Sequence, residues 1–230
     1  MDSHEVRSHW AGRTGEYSPA YYAHYGPDRT SENVRGILDE HVGREASVLE
    51  LGCSSGRHLA HLQAHGYEDL AGIELNGDAF DVMAAEYPDL AEAGTFYHDA
   101  IEAVVGDLAD DRFDAVFSVE TLQHLHPEAE WVLPELARIT GDLLVTVENE
   151  GDRVEDGGGG DADGNGATPS REGGDQSTDP DVNYVDDGLP LFYRDWNRVF
   201  TDLGLREVEA RAGDRDTVRA FRVPGPAAER

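Results

Sequence analysis

Val48-Leu49-Glu50-Leu51-Gly52-Cys53-Ser54-Ser55-Gly56-Arg57 joins an apolar run to a turn of small residues and then to a helical pattern that Gly66 stops. A short apolar run bounded by glycine reads as a buried strand, here over 46–51. Glycines at 52 and 56 let the backbone approach a ligand closely, and the small side chains of 53–55 keep the gap clear. The helix start beyond them presents amides without intrahelical partners. In an open α/β sheet, ligands bind outside the carboxyl ends of the strands, where this turn lies.

Strands and helices alternate outward from the turn. Apolar runs at 70–75, 95–98, 113–119 and 143–148 read as strands. Between them lie helical patterns over 77–86 and after His126-Pro127. Upstream, residues 31–42 read as an amphipathic helix capped by Ser31, with Val34, Ile37, Leu38 and Val42 on one face. Residues 1–30 are polar and rich in tyrosine, a segment suited to act as a lid. This rhythm implies an α/β fold, a mostly parallel sheet with right-handed crossovers and helices on both faces. Residues 151–183 are Gly, Asp, Ser and Thr with hardly an apolar side chain, which reads as a disordered insertion dividing the 31–150 core from the rest. Beyond it, 191–203 reads as a helix. The runs at 205–211 and 217–223 read as a hairpin around Ala212-Gly213-Asp214, adding an antiparallel strand.

Acids stand at successive strand ends. Glu74 ends the second strand, about 24 residues after Glu50 in the first, and a carboxylate there can accept from both hydroxyls of a ribose. Asp99 follows the third strand, positioned for an adenine's amine. The fourth strand runs through Ser118 into Leu122-Gln123-His124-Leu125.

The stretch 48–148 resembles the class I S-adenosylmethionine (SAM)-dependent methyltransferases, especially those acting on small metabolites. The resemblance rests on Glu50-Leu-Gly52-Cys53-Ser54-Ser-Gly56 and the strand-end acids. It implies a Rossmann-like sheet of seven strands with an antiparallel C-terminal strand. It further implies that Glu50 supports the turn and the SAM amino group, that Glu74, next to Leu75, holds the ribose, and that Asp99 and Ala100 meet the adenine. Ser118 and Val119, running on to Glu120, would line the transferred methyl. Ser54 departs from the family's usual middle glycine, and Thr140-Gly141-Asp142 stands where a Pro-Gly-Gly turn is common. His124 is the candidate general base, since an ordinary imidazole pKa of about 6.5 suits proton abstraction near neutrality.

The expected cofactor is therefore SAM and the expected partner a small-molecule acceptor. Ser118-Val119-Glu120-Thr121 replaces the Asn/Asp-Pro-Pro-Tyr/Phe motif of enzymes that methylate bases of nucleic acids. One alternative is a nicotinamide-dependent Rossmann oxidoreductase, disfavoured by a carboxylate at 50 where a pyrophosphate would run. The other is a non-catalytic SAM-binding protein.

Composition sets the solvent. The 230 residues include 48 acidic and 18 basic side chains, every basic one arginine, for a formal charge of −30. At about 1 M salt the Debye length falls to about 3 Å, which quenches the self-repulsion such a charge imposes. The chain thus reads as halophilic. Its charge argues against a nucleic-acid partner, less strongly in a proteome that is acidic throughout. No stretch approaches a membrane span, the N-terminus lacks a signal-peptide pattern, and a cytoplasmic location is expected. Cys53 is the one cysteine, so disulfides and cysteine-based zinc clusters are excluded.

Two metal-like patterns are set aside. Asp161-x-Asp163-x-Asn165-Gly166 with Glu172 fits a calcium-loop pattern, but glycines flank it where helices are needed and Pro169 sits inside. His58, His61 and His65 share a helix face without a carboxylate at helical spacing, so a solvated face is the reading and no metal is expected.

Overall fold

The computed structural model describes residues 1–151, 180–184, 188–213 and 215–224. The core is a seven-stranded sheet of β1 (Val48–Leu51), β2 (Leu70–Glu74), β3 (Thr95–His98), β4 (Phe113–Val119), β5 (Thr140–Glu148), β8 (Arg206–Ala212) and β9 (Thr217–Arg222). The spatial order is β3-β2-β1-β4-β5-β9-β8. β1 to β5 pair in parallel, and β9 runs antiparallel to both its neighbours.

Side-chain alternation in the strands divides the core into two layers. On one face Val48, Ala115, Phe117, Leu143 and Val145 meet Val34, Ile37 and Leu38 of α3 (Arg29–His41) and Leu59 and Leu62 of α4 (Arg57–Ala64). Met83 of α5 (Asp78–Glu86) and Leu90 of α6 (Pro88–Ala93) complete that layer. On the other face Leu49, Leu51, Ile73, Val116 and Leu144 meet Leu133, Leu136 and Ile139 of α8 (Val132–Ile139) and Trp196 and Phe200 of α9 (Trp196–Asp202). Two helices, α1 (Ser3–Ala11) and α2 (Pro19–Tyr25), precede this core, and a short helix α7 (Ile101–Val104) follows β3.

Three expectations are corrected. Helix α3 begins at Arg29 and is capped by Asp28, whose Oδ1 accepts from the amides of Thr30 (2.9 Å) and Ser31 (3.1 Å). Ser31 instead closes the capping box from inside the helix, its hydroxyl accepting from the Asp28 amide at 3.1 Å. The helix expected over 191–203 is a strand followed by a shorter helix. β7 (Pro190–Tyr193) pairs antiparallel with β6 (Asp181–Tyr184), and Asp195 caps α9 by accepting from the Arg198 amide at 3.0 Å. The Phe192–Trp196 spacing mimics a helical face, but the ladder partner at 181–184 and the cap at 195 split the segment. Residues 181–183, read with the insertion, belong instead to β6. Residues 152–179, including the calcium-like pattern at 161–172, lie outside the described residues. Among the described residues, no helix is long and apolar enough to cross a membrane.

Candidate active site

The turn after β1 is built from alternating left-handed residues. Gly52, Ser54 and Gly56 have φ of 65°, 49° and 81°. At Gly52 glycine is also required by space, since an added Cβ would stand 2.4 Å from the Thr121 hydroxyl. Gly56 opens α4, and a Cβ there would fall 2.8 Å from Leu90. Cys53 packs in the same way against β2, where a Cβ on Gly72 would meet its sulfur at 2.5 Å. Burial pushes the Cys53 thiol up, so it remains protonated.

Ser54 is the strained member, because the left-handed region costs a non-glycine residue about 1–2 kcal/mol. Its amide nonetheless donates to Glu74 Oε2 at 2.8 Å. Ser54→Gly relieves that strain and loosens the unfolded chain by about 0.4–1 kcal/mol. The expected outcome is a small gain in stability, of order 0.5 kcal/mol, read by denaturant titration.

Glu50 and Glu74 stand on the neighbouring strands β1 and β2. Glu50 is 1% exposed, and its Oε2 is buried without a hydrogen-bond partner. Burial pushes its carboxyl well above the usual range; Arg57 opposes the shift and Glu74 adds to it. Glu74 is held from both sides, Oε2 by the Ser54 amide and Oε1 by the Asn76 amide at 2.7 Å. Its carboxyl too is raised by burial, against the pull of those amides. Asp99 is exposed, with Oδ1 accepting from the Ala100 amide at 2.7 Å.

These groups open onto a cavity of about 510 Å³. Of the residues singled out in the sequence, Glu50, Gly52, Cys53, Ser54, Glu74, Leu75, Asp99, Ala100, Val119 and His124 line it. Gly56 and Ser118 do not. Gly56 packs against α5 and α6, and the Ser118 hydroxyl donates to Glu148 Oε1 at 2.7 Å beneath the floor. The N-terminal segment supplies Trp10, Tyr17 and Tyr22 as the facing wall. Asn76 ties that wall to the turn, its side-chain amide donating to the carbonyls of Trp10 (3.4 Å) and Arg13 (3.1 Å). Burial holds the Tyr22 hydroxyl up at about 12, so it stays a phenol.

His124 lies against Trp10, ring centroids 4.5 Å apart. The imidazole bonds the Pro190 carbonyl, while Nδ1 is buried without a partner. Burial pulls its pKa down to about 4, so the ring is neutral near pH 7 and a weaker base than the ordinary value implies.

Two residues that sequence reasoning passed over shape the turn carrying His124. Glu148, 0% exposed at the end of β5, accepts at Oε1 from Ser118 Oγ and from the amides of Thr121 (3.1 Å) and Leu122 (3.0 Å). Its Oε2 accepts from the Gln123 amide at 3.1 Å. Burial raises its carboxyl to about 7 against the pull of these donors. Arg194 grips the same turn from the other side, donating to the carbonyls of Leu125 (2.8 Å) and Leu122 (3.4 Å). The usable signal for Glu148 was an acid ending an apolar run, as at 50 and 74. The segment just after the insertion was passed over as well, and its Tyr184, Leu189, Leu191 and Tyr193 border the cavity.

The histidine face on α4 is also corrected. His58 is 5% exposed and accepts or donates at Nδ1 with the buried Ser31 hydroxyl, 2.8 Å away. His61 and His65 remain on the outer side, where the neighbouring helix α3 brings up Glu32.

A parallel sheet in this strand order, with one antiparallel strand and acids at the strand ends, is the Rossmann-like fold of SAM-dependent methyltransferases. Residues 48–142 match the family model described as a methyltransferase domain. The chain is 24% identical over 126 residues to the O-methyltransferase resE of Aspergillus sclerotiorum, covering 50% of this chain and 47% of that protein. It is 28% identical over 107 residues to dTDP-3-amino-3,6-dideoxy-alpha-D-glucopyranose N,N-dimethyltransferase of Streptomyces fradiae, covering 44% and 37%. The chain thus spans less than half the length of these relatives. Among solved structures it resembles the 1,6-didemethyltoxoflavin-N1-methyltransferase of Burkholderia thailandensis, bound to 1,6-didemethyltoxoflavin and S-adenosylhomocysteine. That likeness has a TM-score of 0.61 at 16% identity, covering 86% of this chain and 79% of that one.

Proposed function

We propose that this chain transfers a methyl group from SAM to a small-molecule acceptor. The observation that carries the reading is the pair of strand-end carboxylates around the left-handed turn, Glu50 buried and Glu74 half-buried. Glu50 offers an unpartnered oxygen fit for an ammonium, and Glu74 keeps lone pairs on both oxygens for two hydroxyls. Asp99 and Ala100 border the same cavity where an adenine would lie. SAM supplies an electrophilic methyl carbon on a sulfonium; the cofactor carries the hard chemistry.

The chain's own residues orient and desolvate. Trp10, Tyr17 and Tyr22 wall off water, and Asn76 holds that wall to the turn. His124 Nδ1 stands ready to accept a hydrogen bond from the acceptor and to take its proton as the new bond forms. Calorimetry with SAM and with NADH tests the reading: SAM binds, and tight binding of NADH without SAM would overturn it.

Glu50 gives this binding a pH dependence. In the free chain burial favours its protonated form, whereas an ammonium beside it favours the carboxylate. SAM affinity therefore rises with pH until Glu50 is ionised in the free chain, and binding at lower pH releases a proton. Calorimetry in two buffers of different ionisation enthalpy measures that proton.

The charge of −30 without lysine supports a halophilic protein. Self-repulsion expands the fold in dilute buffer and molar KCl restores it. Circular dichroism across a salt titration checks this, and equal structure at low salt would contradict it.

A further inference from the structure

We infer that Glu32, His61 and His65 form a binding site for one divalent transition ion such as Zn²⁺ on the outer side of α3 and α4. Nothing in the methyl-transfer reading uses these three residues. One ring nitrogen of each histidine and a carboxylate oxygen of Glu32 lie within 4.8 Å of one another. His61 and His65 are one helical turn apart, so their side chains share a face, and the rings stand 4.3 Å apart. His61 Nε2 is 3.0 Å from Glu32 Oε2. Two ligands of a tetrahedral ion at about 2.0–2.1 Å are separated by about 3.3 Å, so this pair is already near the required spacing.

The neighbouring bonds prepare the site. His65 bonds the His61 carbonyl through Nδ1 at 2.7 Å, which places the proton on Nδ1 and the lone pair on Nε2. Metal-ligating histidines are commonly fixed through such a bond from the non-ligating nitrogen. His61 is only 16% exposed, against 54% for Glu32, so the imidazole is held while the carboxylate can adjust. Arg35 contacts Glu32 and Asp39 together, so it would keep Asp39 as a partner with Glu32 turned to an ion. Two imidazoles and one carboxylate suit zinc, nickel or copper and are a poor set for calcium or magnesium. Three protein ligands leave a fourth position for water. The ion would tie α3 to the helix that follows the Gly52–Gly56 turn.

The test uses the full chain, without a histidine tag and stripped with a chelator, titrated with Zn²⁺ by calorimetry and thermal melting. One equivalent is expected to bind and to raise Tm through mass action. His61→Ala and His65→Ala should each weaken that binding at least tenfold and remove the rise. His24→Ala, exposed on α2, should leave both unchanged. Co²⁺ in place of Zn²⁺ should give the visible bands of a tetrahedral ion, lost in His65→Ala. The inference is overturned if no stoichiometric binding occurs, or if the two variants bind Zn²⁺ as the parent does. Because SAM titration of the same variants is independent, failure here leaves the methyl-transfer reading standing.

Discussion

Glu74→Ala is expected to weaken SAM binding by about 30- to 1000-fold, or about 2–4 kcal/mol, while the chain stays folded. In the proposed cofactor site the substitution would remove a charge-assisted acceptor from two ribose hydroxyls, each such bond being worth about 1.5–3 kcal/mol with partial replacement by water. It also takes the acceptor from the Ser54 and Asn76 amides, so the left-handed turn loses the group that draws it toward β2. Glu74→Gln keeps one oxygen and the size of the side chain, and should recover part of the loss. Calorimetry in molar KCl reads the affinity, and circular dichroism checks the fold. An unchanged SAM affinity for the alanine variant would remove Glu74 from the cofactor site.

Glu148→Ala is expected to act on turnover and stability together. The variant leaves the Ser118 hydroxyl and the amides of Thr121, Leu122 and Gln123 without their acceptor in a buried place. Each abandoned buried donor costs about 1–3 kcal/mol, eased by entering water, so a loss of about 3–5 kcal/mol is expected. Because those amides set the turn that carries His124, the proposed base, kcat should fall about 100-fold, the scale of a misplacement near 1 Å. SAM affinity should change far less, since Glu50 and Glu74 are untouched. Glu148→Gln, which keeps an acceptor oxygen, should restore much of kcat. Loss of SAM binding with kcat preserved at saturation would instead mean that Glu148 acts through the cofactor side.

The parts of the site legible in the sequence were those where one residue type answers one local demand. A turn that needs left-handed backbone and close approach wrote glycine at 52 and 56, and buried parallel strands wrote uninterrupted apolar runs ending in acids. What stayed hidden depends on partners far along the chain. Asn76 is a site residue because its amide reaches Trp10 and Arg13, more than 60 positions away. Arg194 reaches Leu122 and Leu125 only after β7 has paired with a strand at the end of a low-complexity segment. The solvated reading of His58 failed likewise: helical spacing fixes which side chains share a face, but α3 decides which of them it covers.

The position of β9 has a consequence for how the chain is made. The strand lies between β5 and β8, and its Arg219 is clamped by Glu150 at 2.6 and 2.9 Å and also paired with Glu207. During synthesis, β5 is complete some seventy residues before its partner on that side emerges. Until residue 222 clears the ribosome, the apolar strand Leu143–Leu144–Val145 presents an open backbone edge, a template for pairing with another chain. Truncations before β9 should therefore yield aggregates rather than a smaller folded core, and pauses in translation over 150–216 should lower the soluble yield.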